Sequence, residues 1–432
     1  MKLKGLLIFI FISIFTTTTS FSQTTTVEDG DGTFKINATA QQYDSLLSDW
    51  YEKNINMSYD NFLNEFVDID MSEEYAPKEA LPDSVYQNRL NMLASAIQLP
   101  YNPIVKQYIM RYTIKYHTFM NRMIGLAQYY MPIFEKELDI NGLPEELKIM
   151  PVIESALNPS IKSRAGAAGL WQFMLPVGKY YGLEYNSFVD ERFDPVKSTQ
   201  AACQLIKDYY KIYGDWTLVI AAYNCGSGNV NKAIKRVPNA KTYWDIYEYL
   251  PRETRGHIPS FIAMTYAYTF HKAHGFEPTT PPHPVTTDTV HINRMLHFDQ
   301  ITSTLNLPIE LIRDLNPQYK KDIIPAKEKQ YTLVLPMDEI SRFVEFEQDI
   351  FGKDTIYLAE YLNIDTKALE KTDVAKSATT TSSSSASTYK VKKGDNLGSI
   401  AARYKVKAND LMRLNNITDP RKLRIGQVLK LK

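Results

Sequence analysis

The chain has 432 residues, 44% of them apolar and 23% charged, with 49 Lys and Arg against 49 Asp and Glu. That length excludes a single compact core and predicts two or three domains. The net charge argues neither for nor against a polyanionic partner, but its distribution is uneven. Residues 43–90 hold 11 acids against 3 bases, and residues 388–432 hold 12 bases against 3 acids.

Lys2 and Lys4 precede an apolar stretch over residues 5–15, and Ser20 and Ser22 suit positions −3 and −1 of a cleavage point after Ser22. Residues 1–22 read as a signal peptide, too short to remain as a membrane span. No cysteine near that point could carry a lipid. The mature chain is therefore expected to be exported, with no stable membrane anchor. Export argues against nucleic acid as the partner of the basic tail and for the anionic polymers of a wall.

Residues 23–40 are rich in Thr, Gly and Asp and are expected to be disordered. Residues 41–138 show helical spacing throughout. Tyr43, Leu46, Leu47, Trp50 and Tyr51 mark one helix, and Tyr86, Leu90, Met92, Leu93 and Ile97 mark another over 84–98. Two more are expected over 102–138. Their stripe of Tyr108, Met110, Tyr112, Tyr116, Met120 and Met123 reads as core. This predicts a helical N-terminal extension.

Residues 139–275 form the central unit. A helix over 145–157 carries Glu154 at the end of an apolar run (Ile149, Met150, Val152, Ile153), and Asn158-Pro159 should stop it. Gly166-Ala167-Ala168-Gly169 lets a ligand approach the backbone; Leu170, Trp171, Gln172, Phe173 and Met174 follow. An acid on an apolar helix end, facing a glycine-lined wall with one amide, suits protonation of a sugar oxygen. Helices over 195–213 and 216–224 should meet at Gly214-Asp215, and 230–234, 243–249 and 258–271 complete a helical domain. Cys203 and Cys225 lie eleven residues either side of Gly214. A disulfide between them and a pair of buried free thiols both stay open.

A proline-rich linker over 276–288 leads to a unit at 289–350 that ends in a strand over 331–335. A connection with a Ser/Thr-rich tether covers 351–388. Residues 389–432 read as strand, two short helices (396–404 and 408–414) and a returning strand, with Leu397, Ile400, Leu411 and Leu414 inward. An offset of 99 pairs Phe298 with Leu397, Ile301 with Ile400, Ile312 with Leu411, Leu315 with Leu414 and Asn316 with Asn415, which marks a repeat. The earlier copy has Met295-Leu296-His297 in place of the Gly394-Asp395 turn.

Glu154-Ser155, Gly169-Leu170-Trp171-Gln172, Ala222-Tyr223-Asn224 and Glu253-Thr254-Arg255, in that order over 143–261, resemble the lytic transglycosylases of the goose-type lysozyme superfamily, of the membrane-bound murein transglycosylase D type. Residues 389–432, with Gly394-Asp395, Leu397, Leu414-Asn415 and Ile425-Gly426-Gln427, resemble the LysM family. The unit at 289–350 is similar to a degenerate LysM domain, and whether it binds sugar or only packs on the enzyme stays open. The implied fold class is α+β and multidomain: an all-α lysozyme-like catalytic domain with a helical N-terminal extension, followed by small βααβ LysM-type modules.

The resemblance implies a peptidoglycan lytic transglycosylase acting on glycan strands, with neither cofactor nor metal; other wall enzymes stay open as partners. The seven histidines are scattered and offer no paired ligand spacing. Glu154 would be the acid and then the base. Ser163, Gln172, Met174, Tyr223 and Asn224 would line the cleft, with Tyr223 near the acetamido group or the carboxylate, and Glu253 would orient sugars or Tyr223. Gly394, Asp395, Leu397, Asn415 and Asn416 would bind glycan in the LysM module. Asp190, Glu191, Asp194 and Asp215 lie in the domain but outside the motif. Two positions depart from the family. Trp171 stands where Met is frequent, implying a changed cleft wall, and His257 stands where Tyr is usual, as a substitute donor to substrate, a source of pH dependence, or a packing residue. The rivals are a goose-type muramidase that uses water and a non-catalytic wall-binding protein.

Overall fold

The structure, a computed structural model, describes residues 25–29, 32–36, 59–69, 71, 74–281, 284–361, 388–391, 400–401, 404, 408–415, 417 and 427–431. The expected signal peptide, the tether, and Gly394, Asp395, Leu397 and Asn416 lie outside the described residues. Two compact units emerge: residues up to Glu184 with Val189–Ala359, and Tyr185–Phe188 with residues from Glu360 onward.

In the first unit, β1 (Thr25–Asp29) and β2 (Gly32–Ile36) pair antiparallel, in a stretch expected to lack structure. The alternating Thr, Val, Phe and Ile residues there favour strand over coil. Helix α1 (Tyr59–Phe62) continues as a π-helical turn over Leu63–Val67. Helix α2 (Asp83–Met92) stops six residues before its expected end, because Leu93 turns extended and Ser95 Oγ closes a local loop with Ile97. Helix α3 (Pro103–Met110) starts at Asn102, whose side chain accepts from Val105 N at 2.9 Å, with proline in the first turn where its missing N–H costs nothing. A π-helical turn at Arg111–Lys115 leads into α4 (His117–Ile140), whose Tyr, Met and Phe face is buried as its spacing predicts.

Helix α5 (Met150–Ser155) follows a 3-10 turn at Glu145–Ile149. It ends not at Asn158-Pro159 but earlier, because Ala156 (φ 53°) and Leu157 (φ 56°) enter the left-handed region. After α6 (Leu175–Tyr180), α7 (Pro195–Tyr213) and α8 (Trp216–Cys225) form the expected hairpin. Asp194 and Asp215 cap their starts, and Gly214 (φ 63°) makes the turn. Helices α9 (Ser227–Ile234), α10 (Tyr243–Ile246) and α11 (Arg252–Thr269) complete the bundle. Helix α11 begins six residues before the expected 258, so Glu253, Thr254 and Arg255 sit in its first turn. Cys203 and Cys225 are free. Cys203 is buried in the core near Glu137, and burial pushes its thiol up to about 12, whereas Cys225 borders a cleft beside Thr254.

The middle module continues this unit. Strands β3 (Thr287–Ile292) and β6 (Tyr331–Pro336) pair antiparallel, enclosing the short β4 (Leu296–His297) and β5 (Ile323–Ile324) pair and helices α12 (Phe298–Leu305) and α13 (Ile309–Leu315). Where the Gly-Asp turn is missing, His297 caps α12: its Nδ1 accepts from Asp299 N at 3.1 Å. Leu311 and Leu315 join the apolar core of the helical bundle. Helices α14 (Ile340–Glu345), α15 (Glu347–Phe351) and α16 (Asp354–Tyr357) follow.

In the second unit β7 (Thr388–Lys390) pairs antiparallel with β8 (Val428–Lys430), and α17 (Ala408–Leu414) packs Leu411 with Val391, Ile400, Leu429 and Leu431. Leu414, expected inward, is 43% exposed.

Candidate active site

A cleft of about 690 Å³ runs across the helical bundle. Glu154, Ser163, Gln172, Met174, Tyr223, Asn224 and Glu253 all line it, so residues spread over 100 positions of sequence meet at one place. Helix α5 is short and buried on every side, and its last turn delivers Glu154 with only 4% of its surface exposed. Ser155 ties the end of that helix by donating to Pro151 O at 2.7 Å.

The opposite wall is the loop over 161–174. Gly169 (φ 79°) is required there, since a side chain would meet Arg192 O at 1.8 Å. Arg192, paired with Asp190 at 2.8 Å, also donates to Gly166 O and Phe173 O, which fixes the loop's shape. Gln172 is held by donation from its amide to Gly169 O at 2.7 Å, and its Oε1 is buried with no hydrogen-bond partner. That oxygen is an acceptor available to a ligand. Ser163 Oγ accepts from Ala167 N at 3.0 Å, and Met174 is 41% exposed at the rim.

Tyr223 donates its hydroxyl to Trp171 O at 2.7 Å, so its phenol braces the loop; burial and the Glu154 carboxylate push it well above the usual phenol range. Trp171 does not change the cleft wall as expected. It is fully buried, with Nε1 donating to Thr199 Oγ1 at 2.8 Å and its ring edge-on to Phe134.

His257 is also fully buried, one turn into α11, and its Nε2 lies 3.0 Å from Glu154 Oε1. Its other nitrogen is 3.4 Å from the Asn224 amide, whose Oδ1 accepts from Thr254 Oγ1 at 2.8 Å. The four candidate second acids have other duties. Asp190 pairs Arg192, Glu191 accepts from Glu184 N, and Asp194 and Asp215 cap helices.

One wall was not legible in the sequence. Tyr59, Asp60, Leu63, Asn64, Val67 and Asp68 also line the cleft. Their segment is held by three hydroxyls of the tyrosine stripe: Tyr116 to Glu65 O at 2.8 Å, Tyr112 to Phe66 O at 2.6 Å and Tyr108 to Val67 O at 2.8 Å. Gly256 permits the approach, because a Cβ there would meet Val67 O at 2.4 Å. Asp60 pairs with Arg164 at 2.7 Å and Asp68 with Arg252 at 3.5 Å. Burial, with Glu154 and Glu253 close by, raises the Tyr59 phenol. Among the described residues no cluster could hold a metal ion, and no helix is long and apolar enough to cross a membrane.

In the C-terminal module Asn415 spends its amide on the fold. It donates to Leu411 O and Lys430 O, each at 2.8 Å, and accepts from Lys430 N at 2.6 Å. Those bonds tie a helix end to the last strand.

The helical bundle thus places one buried carboxyl group, Glu154, in its cleft. Comparison with known proteins extends this. Residues 131–246 match the transglycosylase SLT domain, 286–351 the LysM-like domain of lytic transglycosylase MltD, and 389–432 the LysM domain. The membrane-bound lytic murein transglycosylase D of Escherichia coli K12 is 28% identical over 364 residues, covering 74% of this chain and 80% of that protein. A putative tributyltin chloride resistance protein of Alteromonas is 38% identical over 114 residues, covering 26% of this chain and 55% of that one. Among solved structures, the 70 kDa soluble lytic transglycosylase of E. coli is similar at 16% identity with a TM-score of 0.30, covering 56% of this chain; the chain spans 46% of that protein. An SLT transglycosylase domain, homology to MltD and a C-terminal LysM domain together support a peptidoglycan lytic transglycosylase with LysM-mediated peptidoglycan binding.

Proposed function

We propose that this enzyme opens the β-1,4 bond between N-acetylmuramic acid and N-acetylglucosamine without water, leaving 1,6-anhydro ends, with Glu154 as its acid and base. One observation carries the reading: among the described residues lining the cleft, Glu154 is the only carboxylate that is buried, while Asp60 and Asp68 pair with arginines and Glu253 is exposed. A water-using hydrolase calls on a second carboxylate as nucleophile or base.

Glu154 gives its proton to the leaving oxygen as positive charge builds on the sugar ring. The acetamido group of the same sugar assists departure. The carboxylate so formed then takes the proton of that sugar's 6-hydroxyl, which attacks and closes the anhydro ring. One residue serves both steps because each step leaves it in the form the next requires. The second nucleophile belongs to the substrate, so its effective concentration is high. Gln172 Oε1 accepts from the acetamido N–H, Tyr223 braces that wall, Asn224 and Ser163 shape the floor, and Met174 and Glu253 flank the strand at the rim. Residues 139–275 serve as the catalytic domain, the 289–350 module packs on it, and the 389–432 module binds glycan and raises the enzyme's local concentration on the wall. The chain acts after export, in the periplasm or envelope.

Glu154→Gln keeps the shape of the site and removes the proton. Muropeptide release from purified sacculi should fall at least about a thousandfold, within the range a positioned general acid supplies, while the protein still sediments with sacculi. Mass spectrometry of wild-type products should show ends one water lighter than hydrolysis gives. Retained turnover in the variant, or hydrated ends from the wild type, defeats the proposal.

A further inference from the structure

The catalytic carboxylate has a neighbour that the motif does not contain. Glu154 Oε1 and His257 Nε2 lie 3.0 Å apart, both buried, and neither has another hydrogen-bond partner among the described residues. The contact is short but not aligned, as catalytic hydrogen bonds in empty sites often are. Two buried polar atoms so placed, with no alternative, lose free energy unless they bond to each other.

The proton on that ring can be traced. Thr254 Oγ1 donates to Asn224 Oδ1 at 2.8 Å, so the Asn224 carbonyl oxygen faces Thr254 and its NH₂ faces His257. That NH₂ stands 3.4 Å from His257 Nδ1 and can only donate. Nδ1 must then offer a lone pair, and the hydrogen of the neutral imidazole sits on Nε2, aimed at Glu154.

We infer that His257 is a positioning residue for Glu154: a neutral imidazole that donates Nε2–H to Oε1, leaving Oε2 to carry the reacting proton. The inference rests on Glu154 being the acid. Before the reaction the bond fixes the carboxyl rotamer against the scissile oxygen. When Glu154 has protonated the leaving oxygen, the new carboxylate meets a donor already in place, and a donor to an anion is worth more than a donor to a neutral acid. His257 keeps its proton throughout. The proton returned to Glu154 comes from the sugar's 6-hydroxyl, so the cycle balances without the histidine titrating. Thr254 and Asn224 thereby acquire a purpose as the chain that selects the tautomer.

The test uses the full-length enzyme on peptide-free glycan strands. His257→Phe removes both nitrogens at similar volume, and His257→Gln returns an amide N–H near the place of Nε2. For His257→Phe we expect kcat to fall about a hundredfold, the low end for one lost donor to developing charge, with KM within twofold. His257→Gln should recover most of that loss. Wild-type kcat in His257→Phe overturns the inference. So do equal losses in both variants when both melt as the wild type. Should His257→Phe not fold, ¹⁵N NMR of the wild-type imidazole decides alone: a neutral ring protonated at Nε2 supports the inference, and one protonated at Nδ1 or at both nitrogens defeats it. Glu154→Gln runs beside these. If it retains turnover the assignment of the acid has failed; if it is dead while His257→Phe is fully active, only the role of His257 has.

Discussion

In the middle module Asn316 donates to Ile312 O at 2.9 Å and Val334 O at 2.8 Å, and accepts from Val334 N at 2.8 Å. Asn415, 99 residues on, makes the same three bonds to Leu411 and Lys430. Both copies therefore close the same way: one side-chain amide stands in for a strand partner and pins the second helix to the returning strand. The residue just before each asparagine has the opposite fate. Leu315 is 2% exposed and belongs to the core of the helical bundle, whereas Leu414 is 43% exposed. Around the first copy Tyr331 and Lys329 both bond Glu184, at 2.8 and 2.6 Å, and Asp190 N donates to Gln318 O at 2.9 Å. The middle copy has thus become part of the enzyme's own body. The C-terminal copy keeps the clamp, and the leucine beside it is exposed.

The strongest way to break this comparison is to truncate Leu315. Leu315→Ala should cost about 2–5 kcal/mol, as for other buried leucines, and should lower the melting of the catalytic unit itself. A scanning-calorimetry trace with the main transition unmoved would mean the middle module is merely tethered. Next come the clamps. Asn316→Ala strands a buried N–H and two carbonyls, about 1–3 kcal/mol for the group left unpaired, and should again shift the main transition. Asn415→Ala should leave that transition and the cleavage of short soluble glycan intact while sedimentation with sacculi is lost, because a 44-residue module has little stability to spare.

The same contrast between local and tertiary information explains what the sequence disclosed. The clamps were visible as a repeat because each works within 20 residues. Glu154, Gln172 and Tyr223 are legible in the sequence because their motifs, taken in order, resemble those of a known family. The wall over 59–68 was not, since hydroxyls 41 to 51 residues away hold it. The period of Tyr108, Tyr112 and Tyr116 correctly marked them as buried, but period cannot say that their hydroxyls grip another segment's carbonyls. His257 was noticed as a departure, yet its distance to Glu154 depends on how α5 meets α11. The resemblance places Trp171 at the cleft wall, whereas the chain buries its ring and turns at Gln172 (φ 46°). Cys203 and Cys225 fit a hairpin pairing by count alone, and the structure leaves both thiols free.

A smaller effect probes the seam between the middle module and the bundle. Tyr331→Phe deletes one donor to Glu184 Oε1 while Lys329 still bonds Oε2, so a loss of about 1 kcal/mol is expected. Unchanged kcat with melting lower by a few degrees would agree; loss of turnover without loss of stability would show that the module reaches the chemistry.

The smallest expected effect tests the contrast at its sharpest point. Leu414→Ala removes the counterpart of Leu315, but from a position open to solvent, where substitutions usually stay within about 0.5 kcal/mol. The burial difference between the two leucines requires that asymmetry, because the cost of truncation follows the apolar surface withdrawn from water. Unfolding of the C-terminal module followed by its own NMR signals should therefore be nearly unaltered. If Leu414→Ala destabilised that module as strongly as Leu315→Ala destabilises the catalytic unit, the exposed leucine would have to be covered in solution. The contrast between a buried leucine in the first copy and an exposed one in the second would then fail.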